Sequence, residues 1–224
     1  MTPLAIDLFC GLGGWTDGLL AEDYRVIGFD CERHVYGEHR YPAQLVIQDV
    51  LTLHGSQFRE AALIVASPPC QAYSYRAMPW KRAKALPPPE NTLFDACFRI
   101  QREASDAAGQ HIPLVVENVR GAQKWVGRAR WNFGSFYLWG DVPALMPMCG
   151  QIKGGGGTWF GNYADGIKQG GDWFNASQPS ISRRCSSKSK ARKAASAAIA
   201  KIPFELARHI AASWKPKDRQ GATP

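Results

Sequence analysis

Three short apolar runs in this 224-residue chain each break off into a chemically unusual cluster, and their order constrains the fold more than any other feature. LAI (4–6) runs into DLFCGLGGW (7–15), LIVA (63–66) into SPPCQAYS (67–74), and LVV (114–116) into Glu117, Asn118 and Val119. Apolar runs of this length, bounded by turn residues, read as buried strands. A strand that ends in Asp and a Gly-rich turn, then continues as a helix, opens a doubly wound α/β fold that binds nucleosides or phosphates. Gly11, Gly13 and Gly14 let the backbone turn tightly and approach a ligand. The full G-x-G-x-x-G pattern is absent, so a dinucleotide is not favoured, and alone the segment fits a plain turn as well.

Cys70 follows two prolines at the end of the second run. Pro68 and Pro69 each fix φ, so the cysteine stands on a stiff, extended peg. A thiol that must attack one carbon of an aromatic base needs such placement, because effective molarity comes from geometry. The bare motif also fits a Pro-Pro turn beside an incidental core cysteine. Glu117 and Asn118 end the third strand, on the ligand-binding edge of an open α/β sheet. Seen alone, they fit a polar pair that terminates a strand.

Taken in order, the Gly-rich turn, Pro-Pro-Cys-Gln and Glu-Asn-Val resemble the DNA cytosine-5 methyltransferase family, over roughly residues 3–140. The resemblance implies a Rossmann-like class I S-adenosylmethionine-dependent methyltransferase sheet. It also implies a cofactor site at Asp7, Phe9, Gly11, Gly13, Gly14, Asp30, Cys31, Asp49, Val50 and Pro68. Cys70 is then the nucleophile that adds to cytosine carbon 6. Glu117, protonated through burial, grips ring nitrogen 3, and Asn118 orients that strand end or the Pro68–Cys70 turn. The base must leave the duplex stack to be reached. Cys10 lies in the cofactor turn and is not the nucleophile expected.

A coarse pass predicts a seven-strand sheet. Strand one covers about 4–8, with a helix near 14–22, and RVIGF (25–29) ends at Asp30, whose carboxylate suits ribose hydroxyls. A helical stretch around 32–40 and a strand LVIQDV (45–50) follow, with Asp49 on the same edge; both acids also fit simple turn capping. A helix capped by Asn91 or Thr92 is expected over 91–108, another helix after Glu117, and a late strand FYLWG (136–140).

Between Cys70 and the 91–108 helix lies a long irregular segment carrying Arg76, Lys81, Arg82 and Lys84 among Tyr73, Tyr75 and Trp80. Cations suit phosphates and aromatics suit bases, so Gln71, Ser74 and these four cations are candidate nucleic-acid contacts. In the resembling family this is the loop that closes over DNA, and Pro87–Pro89 suits its rear hinge; a polar insertion is the plainer reading. The family's Gln-x-Arg-x-Arg segment has its nearest equivalent at Arg128 and Arg130, without the glutamine. Either can meet the base carbonyl or a phosphate, and Arg183 and Arg184 are rivals.

The expected organisation is a catalytic domain over 1–149, a short Gly- and aromatic-rich target-recognition segment over 150–182, and basic C-terminal helices over 183–224. The middle segment suits loops that reach a groove, or a small lid. IPFELARHIA (202–211) resembles the family's last motif, a helix beside the Gly-rich turn, with Ala200 where the family has asparagine. The charge is uneven: residues 182–224 hold 11 Lys/Arg against Glu205 and Asp218, while 1–181 is near neutral. Such a block fits the footprint of a nucleic-acid binder or a solvated basic helix.

The six cysteines form no Cys-x-x-Cys pair, so no metal is expected and the thiols read as reduced. No run approaches the ~18 apolar residues of a membrane span, and the N-terminus lacks a signal-peptide pattern. The expectation is a cytoplasmic, monomeric, phage-like enzyme that methylates carbon 5 of cytosine in double-stranded DNA, in the manner of restriction-modification systems. The alternatives are the same chemistry on RNA or unpaired cytosine, or a catalytically silent binder.

Overall fold

The computed structural model describes residues 2–73, 87–147, 189–190, 193–194, 197 and 200–216. Its strands are β1 (Leu4–Leu8), β2 (Arg25–Asp30), β3 (Val35–Tyr36), β4 (His39–Arg40), β5 (Gln44–Ile47), β6 (Ala61–Ala66), β7 (Leu114–Asn118), β8 (Trp131–Phe133) and β9 (Phe136–Gly140). Among its helices are α1 (Gly14–Ala21), α2 (Thr92–Ala108), α3 (Gln123–Val126) and α4 (Phe204–Trp214). A seven-stranded sheet runs in the order β5-β2-β1-β6-β7-β9-β8, and β3 and β4 form a separate hairpin. The first five strands of that order are mutually parallel, and β9 is antiparallel to β7 and β8. This is the Rossmann-like α/β sheet that the three apolar runs predict.

The central strands are covered on both faces, which is why they read as near-continuous apolar runs. Alternation sorts them cleanly. Ile6, Leu8, Ile64, Ala66, Leu114 and Val116 pack towards Phe94, Cys97 and Ile100 of α2. Ala5, Leu63, Val65 and Val115 pack towards Trp15 and Leu19 of α1 and Leu206 and Ile210 of α4. The C-terminal helix therefore completes the core beside the Gly-rich turn, and the Tyr24 hydroxyl donates to its Ala211 carbonyl at 3.1 Å. Three cations of the basic tail are spent here: Lys201 on Asp17, Arg208 on Glu22 and Lys215 on Asp23.

Several local expectations are corrected. Residues 32–40 form no helix; Val35 and Tyr36 pair with Arg40 and His39 across Gly37, whose φ of 63° serves a tight turn. The expected strand 45–50 ends at Ile47, and Asp49 caps the 3₁₀ turn Val50–Thr52 by accepting from Leu51 N–H at 2.9 Å. After Glu117 comes only a 3₁₀ turn and the four-residue α3. Asn91 precedes α2 but does not cap it with its side chain; the amide accepts from the Tyr73 hydroxyl and donates to the Trp125 carbonyl.

α1 and α4 approach backbone to backbone at Gly18. A methyl group there would lie 2.4 Å from the Ala207 carbonyl carbon and the Arg208 nitrogen. Gly18→Ala gains about 1 kcal/mol of helix propensity but forces the two helices apart. We expect a net loss of about 1–3 kcal/mol from overpacking, read as a lowered thermal midpoint, and a raised midpoint would contradict this packing.

Candidate active site

The C-terminal ends of β6 and β7 bring the two chemically marked segments together. Ile64, Val65 and Ala66 pair with Leu114, Val115 and Val116, so Ser67 and Glu117 occupy the next rung and Pro68 and Asn118 the one beyond. Asn118 is 1% exposed and donates its side-chain N–H to the Pro68 carbonyl at 2.9 Å. Its Oδ1 accepts from Val119 N–H at 2.8 Å, which fixes the amide. The Pro-Pro peg is thus tied to β7 two residues before Cys70. Cys70 itself is half-buried, and its carbonyl accepts from Tyr73 N–H at 3.0 Å in the turn that follows.

Glu117 is buried at this strand end. Burial pushes its carboxyl up to about 8, and a hydrogen bond from the Ser67 side chain pulls the other way. The group is therefore largely protonated at neutral pH and able to donate. Cys10 and Cys97, by contrast, are buried thiols pushed well up by desolvation. Neither suits a thiolate nucleophile.

On the adjoining edge, β1 leads through Phe9 (φ 58°) and Gly11 (φ 51°) into α1. A positive φ at Phe9 is a strained conformation held by the surrounding packing. Gly13 (φ 78°) lies against Pro42, 2.5 Å from where a Cβ would stand, so a side chain fits neither the backbone nor the space. Asp30 accepts from Gly11 N–H at 2.9 Å and from Glu32 N–H at 3.3 Å, and lies 3.5 Å from the His34 ring. Burial raises the Asp30 carboxyl, but hydrogen bonds from His34, Gly11 and Glu32 outweigh it, and the net shift is downward. Asp7 is fully enclosed; burial pushes it up to about 7 against a hydrogen bond from Thr16, and nearby Asp30 adds to the rise. Thr16 in turn bonds the Tyr41 hydroxyl at 2.7 Å.

The remaining expected cofactor residues are spread along this edge. Cys31 and Asp49 are exposed, Pro68 is buried, and Gly14 is pressed against Ile202 before α4. Val50, 2% exposed, belongs to the core on the α2 side. The fit for a nucleoside cofactor rests on the open space around Gly11 beside the ionised Asp30. No group of His, Cys, Asp and Glu that could hold a metal occurs among the described residues.

Arg128 and Arg130 line a cleft of about 540 Å³ together with Arg120, Gln123, Trp131 and Tyr137. Tyr137 pairs with Asn118 across the β7–β9 ladder, so the cleft adjoins the Glu117 strand end. No carboxylate lines it, and its three arginines form no ion pair among the described residues. Gln71 is exposed beside Cys70. Ser74, Arg76, Lys81, Arg82, Lys84, Arg183, Arg184 and the segment 150–182 lie outside the described residues.

Sequence reasoning missed Ser67, Trp15 and Arg120. Ser67 opens one motif and Trp15 closes another, but a serine before prolines signals only a turn. Counting two residues on from Val65 and Val115 would have paired Ser67 with Glu117. Arg120 follows Glu117-Asn118-Val119 directly and carried no signal of its own.

Residues 4–128, more than half of the chain, match the family of C-5 cytosine-specific DNA methylases. No curated protein matches in sequence. Among solved structures, a protein described as a prophage-encoded DNA modification methyltransferase of Escherichia coli is 22% identical, with a TM-score of 0.40 over 56% of this chain and 34% of its own. The Dnmt2 methyltransferase of Schizosaccharomyces pombe is 16% identical, with a TM-score of 0.37 over 55% and 36%. The methyltransferase EhMeth of Entamoeba histolytica is also 16% identical, with a TM-score of 0.38 over 55% and 40%. The chain spans little more than a third of the length of these solved proteins. The family match takes in both the cysteine peg and the strand end beside it, and on it the chain belongs to the C-5 cytosine-specific DNA methylases.

Proposed function

We propose that the protein transfers a methyl group from S-adenosylmethionine to carbon 5 of cytosine in DNA. The junction of β6 and β7 carries this reading: a proline-fixed cysteine is tied by Asn118 to the strand that ends in a protonated, buried glutamate. The family match supports the same chemistry. Residues 1–149 then hold the catalytic groups. The segment 150–182 would meet the target and 183–224 would follow it.

Cys70 adds as thiolate to carbon 6 of the base, and the electrons of the ring double bond move towards carbon 5. Glu117 meets the charge that develops at ring nitrogen 3 by donating its proton there. S-Adenosylmethionine, held by the Gly-rich turn, Asp30 and Asp49, supplies an electrophilic methyl group when bound. After carbon 5 takes that methyl group it loses its proton to a base, and the sulfur–carbon 6 bond breaks to return Cys70. Asn118 and the two prolines hold the sulfur in line throughout. Arg128 or Arg130, beside the strand end, would take the base carbonyl or a phosphate.

The decisive experiment is methyl transfer from labelled S-adenosylmethionine to unmethylated duplex DNA, followed by base-resolution mapping of 5-methylcytosine. Product at cytosine carbon 5 supports the reading. Product only on RNA or single strands would move the substrate, and its absence on every nucleic acid would overturn the activity.

Cys70→Ala should lower turnover by at least about a thousandfold while cofactor binding persists; unchanged product would sink the mechanism. Glu117→Gln should cost about 10²–10⁴ in rate. It should also change the stability profile. Between the ordinary value of 4.5 and about 8, the folded chain keeps the Glu117 proton that the unfolded chain has released. Wild-type stability therefore falls as pH rises through that window. Thermal melts should show the Gln variant gaining on wild type from pH 4.5 to pH 8, and parallel curves would refute a raised Glu117. Finally, Arg120→Gln should reduce the slope of log affinity against log salt for duplex DNA by about 0.9, one phosphate contact, and an unchanged slope would remove Arg120 from the DNA path.

A further inference from the structure

We infer that Trp15 and Ser67 are positioning residues that decide which oxygen of Glu117 carries the proton offered to the base. The inference rests on the reading of Glu117 as a proton donor and assigns a role to two residues outside that reading.

The register supplies the first part. Ala66 pairs with Val116, so Ser67 and Glu117 are neighbours on the following rung. Val65 and Val115 face α1 and α4, and two residues further along a strand the side chain returns to the same face. Ser67 and Glu117 therefore both point towards α1, where Trp15 sits 2% exposed in the first turn.

The second part is donor bookkeeping. The Trp15 indole N–H donates to the Ser67 hydroxyl oxygen at 3.0 Å. An indole nitrogen can only donate, whereas a hydroxyl has one hydrogen that rotates to an available acceptor. Accepting from Trp15 leaves Ser67 a second lone pair but polarises its O–H, which makes the hydroxyl the better donor; its hydrogen is directed to Glu117 on the neighbouring rung, and that bond lowers the Glu117 carboxyl against burial. A protonated carboxyl has one hydroxyl oxygen and one carbonyl oxygen. The oxygen facing Ser67 must accept, so the proton resides on the other one, the oxygen left to donate to a base. Without the indole that bias is lost: Ser67 accepts from Glu117 as readily as it donates, and the carboxyl can turn its proton inward. Burial and Ser67 account for the Glu117 shift, with no charged neighbour contributing.

Trp15 also follows Gly13 and Gly14, so the chain of hydrogen bonds begins at the cofactor turn and ends at the proton donor. Its ring is buried in the cluster that also holds Ile202 and Leu206.

The test uses Ser67→Ala, Ser67→Thr and Trp15→Phe in the full chain, with turnover against pH and the carbon-13 NMR titration of the Glu117 carboxyl. Ser67→Ala should lower kcat about tenfold, part of the general-acid contribution, with KM for DNA within twofold. It should move the Glu117 titration, and the alkaline limb of the rate profile, to higher pH, because the carboxylate loses a donor. Ser67→Thr keeps the hydroxyl and should restore most of the rate. Trp15→Phe keeps the ring, loses the N–H and should act in the same direction. A kcat within twofold of wild type together with an unmoved titration would overturn the inference. The NMR titration needs no turnover: a wild-type chain that fails to methylate while Ser67→Ala still shifts Glu117 would sink the proposed activity and leave the hydrogen-bond relay standing.

Discussion

The parallel register between β6 and β7 sets every distance that matters at the strand ends. It places Ser67 beside Glu117 on the face that packs α1, and Pro68 beside Asn118 on the face that packs α2. One rung thus tunes the acid and the next fixes the peg that carries Cys70. A slip of one residue would exchange the two faces, burying the amide where the acid belongs and freeing the prolines from their tether. The slip is prevented by the apolar pattern itself, because the strand that slipped would turn its own residues, Leu63 and Val65 of β6 or Val115 of β7, away from the core shared with α1 and α4. Site geometry and core packing are therefore one constraint, and the site cannot drift without unpacking the sheet.

The same edge holds three carboxyls in different states. Asp30 is kept ionised by backbone and His34 donors that overcome its burial. Glu117 is kept neutral by burial that a single serine only partly offsets. Asp7 lies between, with one oxygen bonded by Thr16 and the other without a partner among the described residues. Depth and donor count decide the outcome together: burial is the largest influence on all three, and each further hydrogen bond to a carboxylate favours the ionised form. A site that needs an anion to hold hydroxyls and a neutral acid to donate a proton can be built from one residue type by rationing donors. Keeping Glu117 neutral costs stability at neutral pH, which is the usual mark of a group retained for chemistry.

Much of this was legible because the informative residues are confined to strand ends. LAI, LIVA and LVV announce β1, β6 and β7, and Asp7, Cys70 and Glu117 follow where a sheet exposes its ligand edge. α2 was expected over 91–108 and runs over Thr92–Ala108, although the Asn91 side chain does not cap it. The 32–40 stretch was not: the β-forming Val35 and Tyr36 around a glycine turn outweighed a helix whose pattern was weak. Asp49 was placed on the right edge but as a strand terminus, since an apolar run does not show where pairing stops. Ser67 and Trp15 sat inside motifs already read, yet their link spans 52 residues and appears only when α1 is laid on the sheet. Arg120 joined Arg128 and Arg130 through the β8–β9 return, a closure that local pattern does not encode.

Charge shows most plainly why composition alone misleads. The surplus in the last forty or so residues reads as a footprint for phosphates, yet Lys201, Arg208 and Lys215 are engaged by Asp17, Glu22 and Asp23 around α1. Such exposed pairs contribute about 0–1 kcal/mol each, so their effect is less to stabilise the helix than to orient it and remove those charges from the outward field. The cleft beside Asn118 makes the opposite arrangement: three arginines, no acid among its walls, and the aromatic rings of Trp131 and Tyr137 in the same lining. Guanidiniums gathered without a counter-charge repel one another, and a bound anion relieves that repulsion more than it could at a neutralised patch. On the proposed function, a polyanionic partner would meet the unpaired charge beside the Glu117 strand end, which among the described residues lies at Arg120, Arg128 and Arg130 rather than along the C-terminal helix.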